Sequence, residues 1–158
     1  MRRLAVHLCL VAAACVPNYS GMKAPPMPDD MVEVAAPEPV TWHTTVQVLA
    51  SNDLPIEDLR RQFGWIETQV RTVDQAAAST WADCSDPLQN AIIGPDRVAV
   101  LVRVESDGSN NSKIHVEAEW SYSLDSEVTC QSKGIWEQTL LSKITDAVAQ
   151  EVAESDEA

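Results

Sequence analysis

The stretch DRVAVLVRVESDGSNNSKIHVEAEWSYSL, residues 96–124, decides the fold. Val98, Val100, Val102 and Val104 fall on alternate positions, with Arg97, Arg103 and Glu105 between them. After Asp107-Gly108-Ser109-Asn110-Asn111-Ser112, a run rich in turn formers, the alternation resumes. Ile114, Val116, Ala118, Trp120, Tyr122 and Leu124 then stand against His115, Glu117, Glu119, Ser121 and Ser123. A period of two sends the two sets to opposite faces of a strand. Two such runs joined by a polar turn predict a β-hairpin, apolar on one face and polar on the other.

An apolar sheet face needs a cover, and the flanking sequence supplies helical patterns. On the C-terminal side, Trp136, Leu140, Ile144 and Val148 recur at helical spacing, which predicts a helix from Ile135 to about Val152. Gly134 and Glu137 are spaced like a helix cap and its third residue. Residues 154–158 form an acidic tail expected to fray. On the N-terminal side, residues 85–96 read as a loop closed by Gly94-Pro95-Asp96. Before it, Ile56, Leu59, Phe63, Ile66, Val70, Val73 and Ala77 make one helical stripe, predicting a helix that ends between Trp81 and Asp86-Pro87, with a bend or break at Gly64. Ser51-Asn52-Asp53 and Pro55 look like its start. Trp42, Thr44, Val46, Val48 and Ala50 alternate with their neighbours, predicting a first strand. The expected order is β-α-β-β-α. The class is α+β: a two-layer sandwich with helices on one face of a small antiparallel or mixed sheet.

The chain has 158 residues, enough for one ordinary domain with appendages, and 45% hydrophobic residues permit a packed core. Its net charge is −13; residues 15–158 carry nine basic and 24 acidic side chains, a net −15. Such a surface repels phosphate backbones and anionic headgroups, excluding nucleic acid and polybasic membrane docking as partners. The longest apolar run, Leu4–Ala14, is far short of the ~20 residues that cross a bilayer.

MRRLAVHLCLVAAAC, residues 1–15, has a positive start, an apolar stretch and small residues before Cys15, the pattern of a signal peptide over 1–14. Ala12-Ala13-Ala14-Cys15 resembles the lipobox of bacterial lipoproteins, with Ala12 standing where a branched residue is usual. The resemblance covers these 15 residues. It implies cleavage before Cys15, a diacylglycerol thioether on its thiol and a membrane partner through that anchor. Val16, in place of Asp, would favour the outer membrane, with the domain facing the periplasm. Secretion with Cys15 left unlipidated is the alternative. With Cys9 removed and Cys15 acylated, Cys84 and Cys130 remain as a single pair in an oxidising compartment. A bridge between them would be structural. Residues 15–40 contain six prolines and read as an acidic spacer behind the anchor, or simply as a tail, leaving 41–153 as the folded domain.

Catalytic chemistry finds little support. Residues 15–158 contain two histidines, His43 and His115, with no GxSxG elbow and no glycine-rich phosphate loop. His43, His115 and Glu117 could share a metal only if the first and third strands were neighbours, and a polar sheet face is the favoured reading. Glu117 and Glu119 as a glycosidase couple fare no better, because same-face carboxylates are routine on an exposed strand. No enzyme activity, cofactor or metal is expected. Trp42, Trp120 and Trp136 fall on inward faces, whereas Trp65 and Trp81 lie off the stripes and are the candidate partner contacts.

A second resemblance joins LPIEDLRRQ (54–62), Cys84, DRVAVLVRVESDG (96–108) and Cys130. In that order they are similar to TonB C-terminal-like domains of envelope proteins. That implies an arginine-bearing helix at 54–62 and a partner-binding periplasmic domain. The expected function is therefore a non-enzymatic, lipid-anchored envelope protein that binds another protein or a cell-wall component. The alternative is an acidic inhibitor or immunity-type protein that neutralises a basic exported enzyme.

Overall fold

The 96–124 hairpin is the centre of the molecule. In the computed structural model, which describes residues 31–157 apart from 87–90, 109 and 124–126, the hairpin buries the inward residues Val98, Val100, Val102, Val104, Ile114, Val116, Ala118 and Trp120, while Tyr122 is half-buried and Leu124 lies outside the described residues. In chain order the elements are β1 (Val32–Val34), α1 (Glu38–Ser51), β2 (Ile56–Arg60), a 3-10 turn (Arg61–Phe63), β3 (Trp65–Thr68) and β4 (Arg71–Thr72). There follow α2 (Gln75–Ala78), β5 (Ala82–Asp86), β6 (Ala91–Ile93), β7 (Arg97–Ser106), β8 (Ser112–Ser123), β9 (Glu127–Thr129), β10 (Gln131–Ser132) and α3 (Ile135–Asp156).

The main sheet runs β1-β8-β7-β3-β2, with β4 added to β7 and β9 to β8, and every pairing is antiparallel. A smaller sheet runs β10-β5-β6. Helices α1 and α3 pack on each other and on the valine face of the hairpin, so the α+β two-layer class holds. Leu49, Leu54, Ile66, Val102, Ile114 and Ile144 form the centre of the main core, each contributing about 2 kcal/mol by burial. A second cluster joins Ala78, Ala82, Cys84, Val98, Ala118, Trp120 and Cys130 at the other end of the hairpin.

Residues 42–50 are not a strand. They lie in α1, whose buried residues are Thr41, Trp42, Thr44, Thr45, Val48 and Leu49, a helical spacing that strand alternation sampled every second time. Three of the six are threonines; the strand reading took Thr44 as inward but left Thr45 and Leu49, equally buried, on the other side. Each of two hydroxyls finds a partner: Thr45 Oγ1 donates to Thr41 O at 2.7 Å, and Thr41 Oγ1 lies 2.7 Å from Ser112 Oγ. The helix starts on Pro37-Glu38-Pro39, because proline suits a first turn whose N–H groups lack helical partners. Thus 32–40, read as spacer, belongs to the fold: Val34 and Ala36 are buried and Val32 pairs with Ile114. The signal peptide, Cys15 and spacer residues 16–30 lie outside the described residues.

Ser51-Asn52-Asp53, read as a helix start, ends one. Asn52 Nδ2 donates to Val48 O at 2.8 Å and Asp53 takes φ 56°, the left-handed turn that Asn and Asp tolerate. The long helix expected from 56 to 81 is absent; the segment forms β2, the 3-10 turn, β3, β4 and short α2. Its apparent stripe is no face at all, for Ile66 is fully buried whereas Leu59 and Val70 are among the exposed large hydrophobics. Gly64, where a bend or break in that helix was expected, reverses the chain between β2 and β3. It has φ +61°, and a Cβ there would meet Val104 O at 2.0 Å. The arginine-bearing helix implied at 54–62 by the TonB-like resemblance is therefore strand and turn.

Two smaller corrections concern ends. Within the 85–96 region, β5 reaches Asp86 and pairs antiparallel with β6, so the expected loop is part of a hairpin. Helix α3 starts at Ile135 as expected but continues to Asp156, taking in most of the tail. Its Gly134 cap has φ +74° and its N–H is met by Ser132 Oγ at 3.1 Å, while Ser132 Oγ also donates to Glu137. Glu137 thus reaches Ser132 rather than closing a capping box.

Candidate binding surface

Because the helices cover one face, the opposite face of the sheet is bare of helix among the described residues and carries the odd-numbered residues of β7 and β8. Register aligns them in rows. Arg60 lies beside Trp65, Trp65 beside Arg103 and Arg103 beside His115. The next row holds Asp58, Glu67, Leu101 and Glu117. Each basic side chain in the middle of this surface has an acidic neighbour. Arg103 contacts Glu105 at 2.7 Å, and Arg60 contacts Asp58 at 2.5 Å.

Arg103 is the unusual member of this face. Only 4% of its side chain is exposed, and its guanidinium lies 5.5 Å from the centre of the Trp65 ring. Glu105 compensates the buried charge, so the pair fixes the local geometry more than it adds stability. Trp65, a candidate contact, is half-buried as the wall of this arginine, and its indole N–H reaches Glu67 Oε2 at 3.4 Å. Arg61 stacks 5.6 Å over Trp42 and meets Glu38 at 3.3 Å. Arg61, Phe63, Arg103, Glu105 and Glu38 line an open cleft of about 420 Å³ in which cations and carboxylates alternate.

The other candidate contact, Trp81, is also half-buried. Its ring centre lies 6.0 Å from that of Trp120, which in turn meets Trp136 edge-on at 5.6 Å. This aromatic row leans on the Cys84–Cys130 disulfide, with S–S 2.01 Å and Cα–Cα 4.3 Å. Beside it opens a cleft of about 580 Å³, which crosses the bare face at Ala99 and Val70 and passes over the edge of β8. Its charged lining is Glu117, Glu119, Glu127 and Glu137, and no Lys or Arg is among the described residues that line it. Sequence alternation placed Glu117 and Glu119 on this face. It could not place Glu127 and Glu137, which arrive from β9 and α3 by tertiary packing.

The metal and triad groupings are not assembled. His43 sits on α1, in the helical layer, exposed and 2.9 Å from Gln47 Nε2, whereas His115 and Glu117 share the opposite face of the sheet. Among the described residues no three His, Cys, Asp or Glu side chains are grouped to hold a metal ion. Among them, too, no helix is long and apolar enough to cross a membrane. Comparison with protein-family models and with curated protein sequences finds no match to this chain.

Proposed function

We propose that the chain is a non-enzymatic binding protein of the bacterial cell envelope. It is held by a lipid on Cys15 at the outer membrane, facing the periplasm, and its folded part docks another protein or a cell-wall component. The observation that carries this reading is the Cys84–Cys130 bridge, in a chain whose first 15 residues resemble a lipoprotein export signal. A disulfide of this kind persists where the surroundings are oxidising. The paired charges of the bare face and its acidic cleft are suited to recognition, since they are carried by strands and by the first turn of α3 rather than by long loops.

The test is the intact mass of the mature protein from a bacterial host, before and after reduction. The expected mass shows cleavage before Cys15, added acyl chains, and a gain of two hydrogens on reduction. A Cys15→Ser variant should leave the membrane fraction. A mature mass without acyl chains overturns the anchored reading.

The acidic cleft favours one second reading, an inhibitor or immunity-type protein that neutralises a basic exported enzyme. Binding of that kind depends on charge complementarity and weakens steeply with salt. Affinity for a basic enzyme that is indifferent to salt would discard it.

A further inference from the structure

Strand β8 has an unfinished edge. Among the described residues, on the side away from β7 it pairs with β1 only at Ser112–Ile114 and with β9 only at Ser121–Ser123. Trp120 O, on that side, accepts from Cys130 N at 2.8 Å. In an antiparallel ladder alternate residues point their N–H and C=O to the same side, so Val116 and Ala118 share this direction with Trp120. Among the described residues neither has a strand partner there. A strand edge with free donors and acceptors is a template for another strand.

The cleft beside that edge has two further unmet groups. Trp120 is 1% exposed and lines it, and its indole N–H has no acceptor among the described residues. Glu137 lines it as well, and its buried Oε2 has no donor there. The exposed rim carries Glu117, Glu119 and Glu127.

The sequence immediately before β1 is poorly made to fill this place. Continued in the register of Val32 with Ile114, it would set Asp29 opposite Glu117 and Pro28 opposite Ala118. Like charges would then face each other, and proline has no N–H to give.

We infer that the β8 edge between Ile114 and Ser121 takes an extended, lysine- or arginine-bearing segment of a partner protein as an added antiparallel strand. Residues opposite Val116 and Ala118 hydrogen-bond to the backbone and turn inward, where a small hydroxyl side chain supplies an acceptor to Trp120 and a donor to Glu137. The alternate residues turn outward, and their cationic side chains meet Glu117 and Glu119. This deepens the binding-protein reading and rests on it, but not on the lipid anchor.

The probe is a synthetic octapeptide alternating lysine with threonine, titrated into the full chain and followed by amide NMR and hydrogen exchange. The expected result is slowed exchange at Val116 and Ala118. Affinity should be about tenfold or more above that of the same peptide N-methylated at its threonines, which cannot donate to the edge. The Glu117→Gln, Glu119→Gln double variant, both changes being exposed, should weaken binding about tenfold, as should raising the salt from about 50 to 500 mM. Several results overturn the inference. They are no binding at low salt, equal affinity for the N-methylated peptide, and Val116 and Ala118 amides already protected in the free chain. Binding that shifts amides only around Trp65 and Arg103 would also overturn it while leaving the binding-protein reading standing.

Discussion

The two ends of the central hairpin are held in different ways. At one end Val100, Val102, Val104, Ile114 and Val116 lie under α1 and α3, helices of 14 and 22 residues, in an aliphatic core. At the other end Val98, Ala118 and Trp120 lie under Ala78, Ala82 and the disulfide, which belong to short α2, to β5 and to the residue between β9 and β10. Long elements bring many side chains to a core for one pair of chain ends. Segments of two to five residues do not, so the same hairpin is covered there by indole rings and a covalent bridge. The stable scaffold and the candidate cleft sit at opposite ends of one sheet.

The contrast can be broken most sharply by removing the bridge. It closes a separation of 46 residues, and replacing both Cys84 and Cys130 with Ala should cost about 4 kcal/mol in denaturant unfolding. The loss should be uneven: amides of β5 and β10 should exchange faster well before those of α3 and of residues 100–104 in β7. Simultaneous loss of protection throughout would show that the two ends are one cooperative unit. Next in size is Ile144→Ala in the helical core, fully buried, with an expected cost of about 3 kcal/mol. Here the whole chain should melt earlier, and protection confined to the disulfide end would contradict the assignment of the scaffold.

Smaller effects sharpen how α1 is seated. Thr41→Val would leave the Ser112 hydroxyl buried and alone, costing about 1–2 kcal/mol by thermal or chemical denaturation. Thr44 offers the opposite case, because its buried Oγ1 has no partner among the described residues. Thr44→Val should therefore be neutral or stabilise by about 1 kcal/mol. If both variants lose stability equally, the Thr41–Ser112 contact is not what distinguishes the two sites.

Those threonines also explain where sequence reasoning failed. Thr41, Thr44 and Thr45 in α1 and Thr68 in β3 all face inward. Thr68 Oγ1 is tied in by Val100 N at 2.9 Å. Thr41, Thr45 and Thr68 each carry a hydrogen bond to a distant or backbone partner, so they pack like valine yet count as polar in a pattern. Without them α1 resembled a strand, and the β2–β3 hairpin resembled a helix through chance spacing of Ile56, Leu59, Phe63 and Ile66. Of the candidate residues, the disulfide pair was legible from cysteine arithmetic. Trp65 and Trp81 proved half-buried, one stacked with Arg103 and the other near Trp120.

By itself the sequence determined the central hairpin, the start of the last helix, the α+β class and the acidic character of the surface. These are properties of local period and composition, which need no partner to be read. Tertiary structure alone decided that residues 38–51 are helical, that Gly64 turns the chain against Val104, and that among the described residues β8 has no strand partner at Val116 and Ala118 on its outer edge. It also brought Glu127 and Glu137 to Glu117 and Glu119 around one cleft. The reason is that an ambiguous segment takes the conformation its partners can bury and hydrogen-bond, and those partners lie far along the chain, as Ser112 does 71 residues from Thr41.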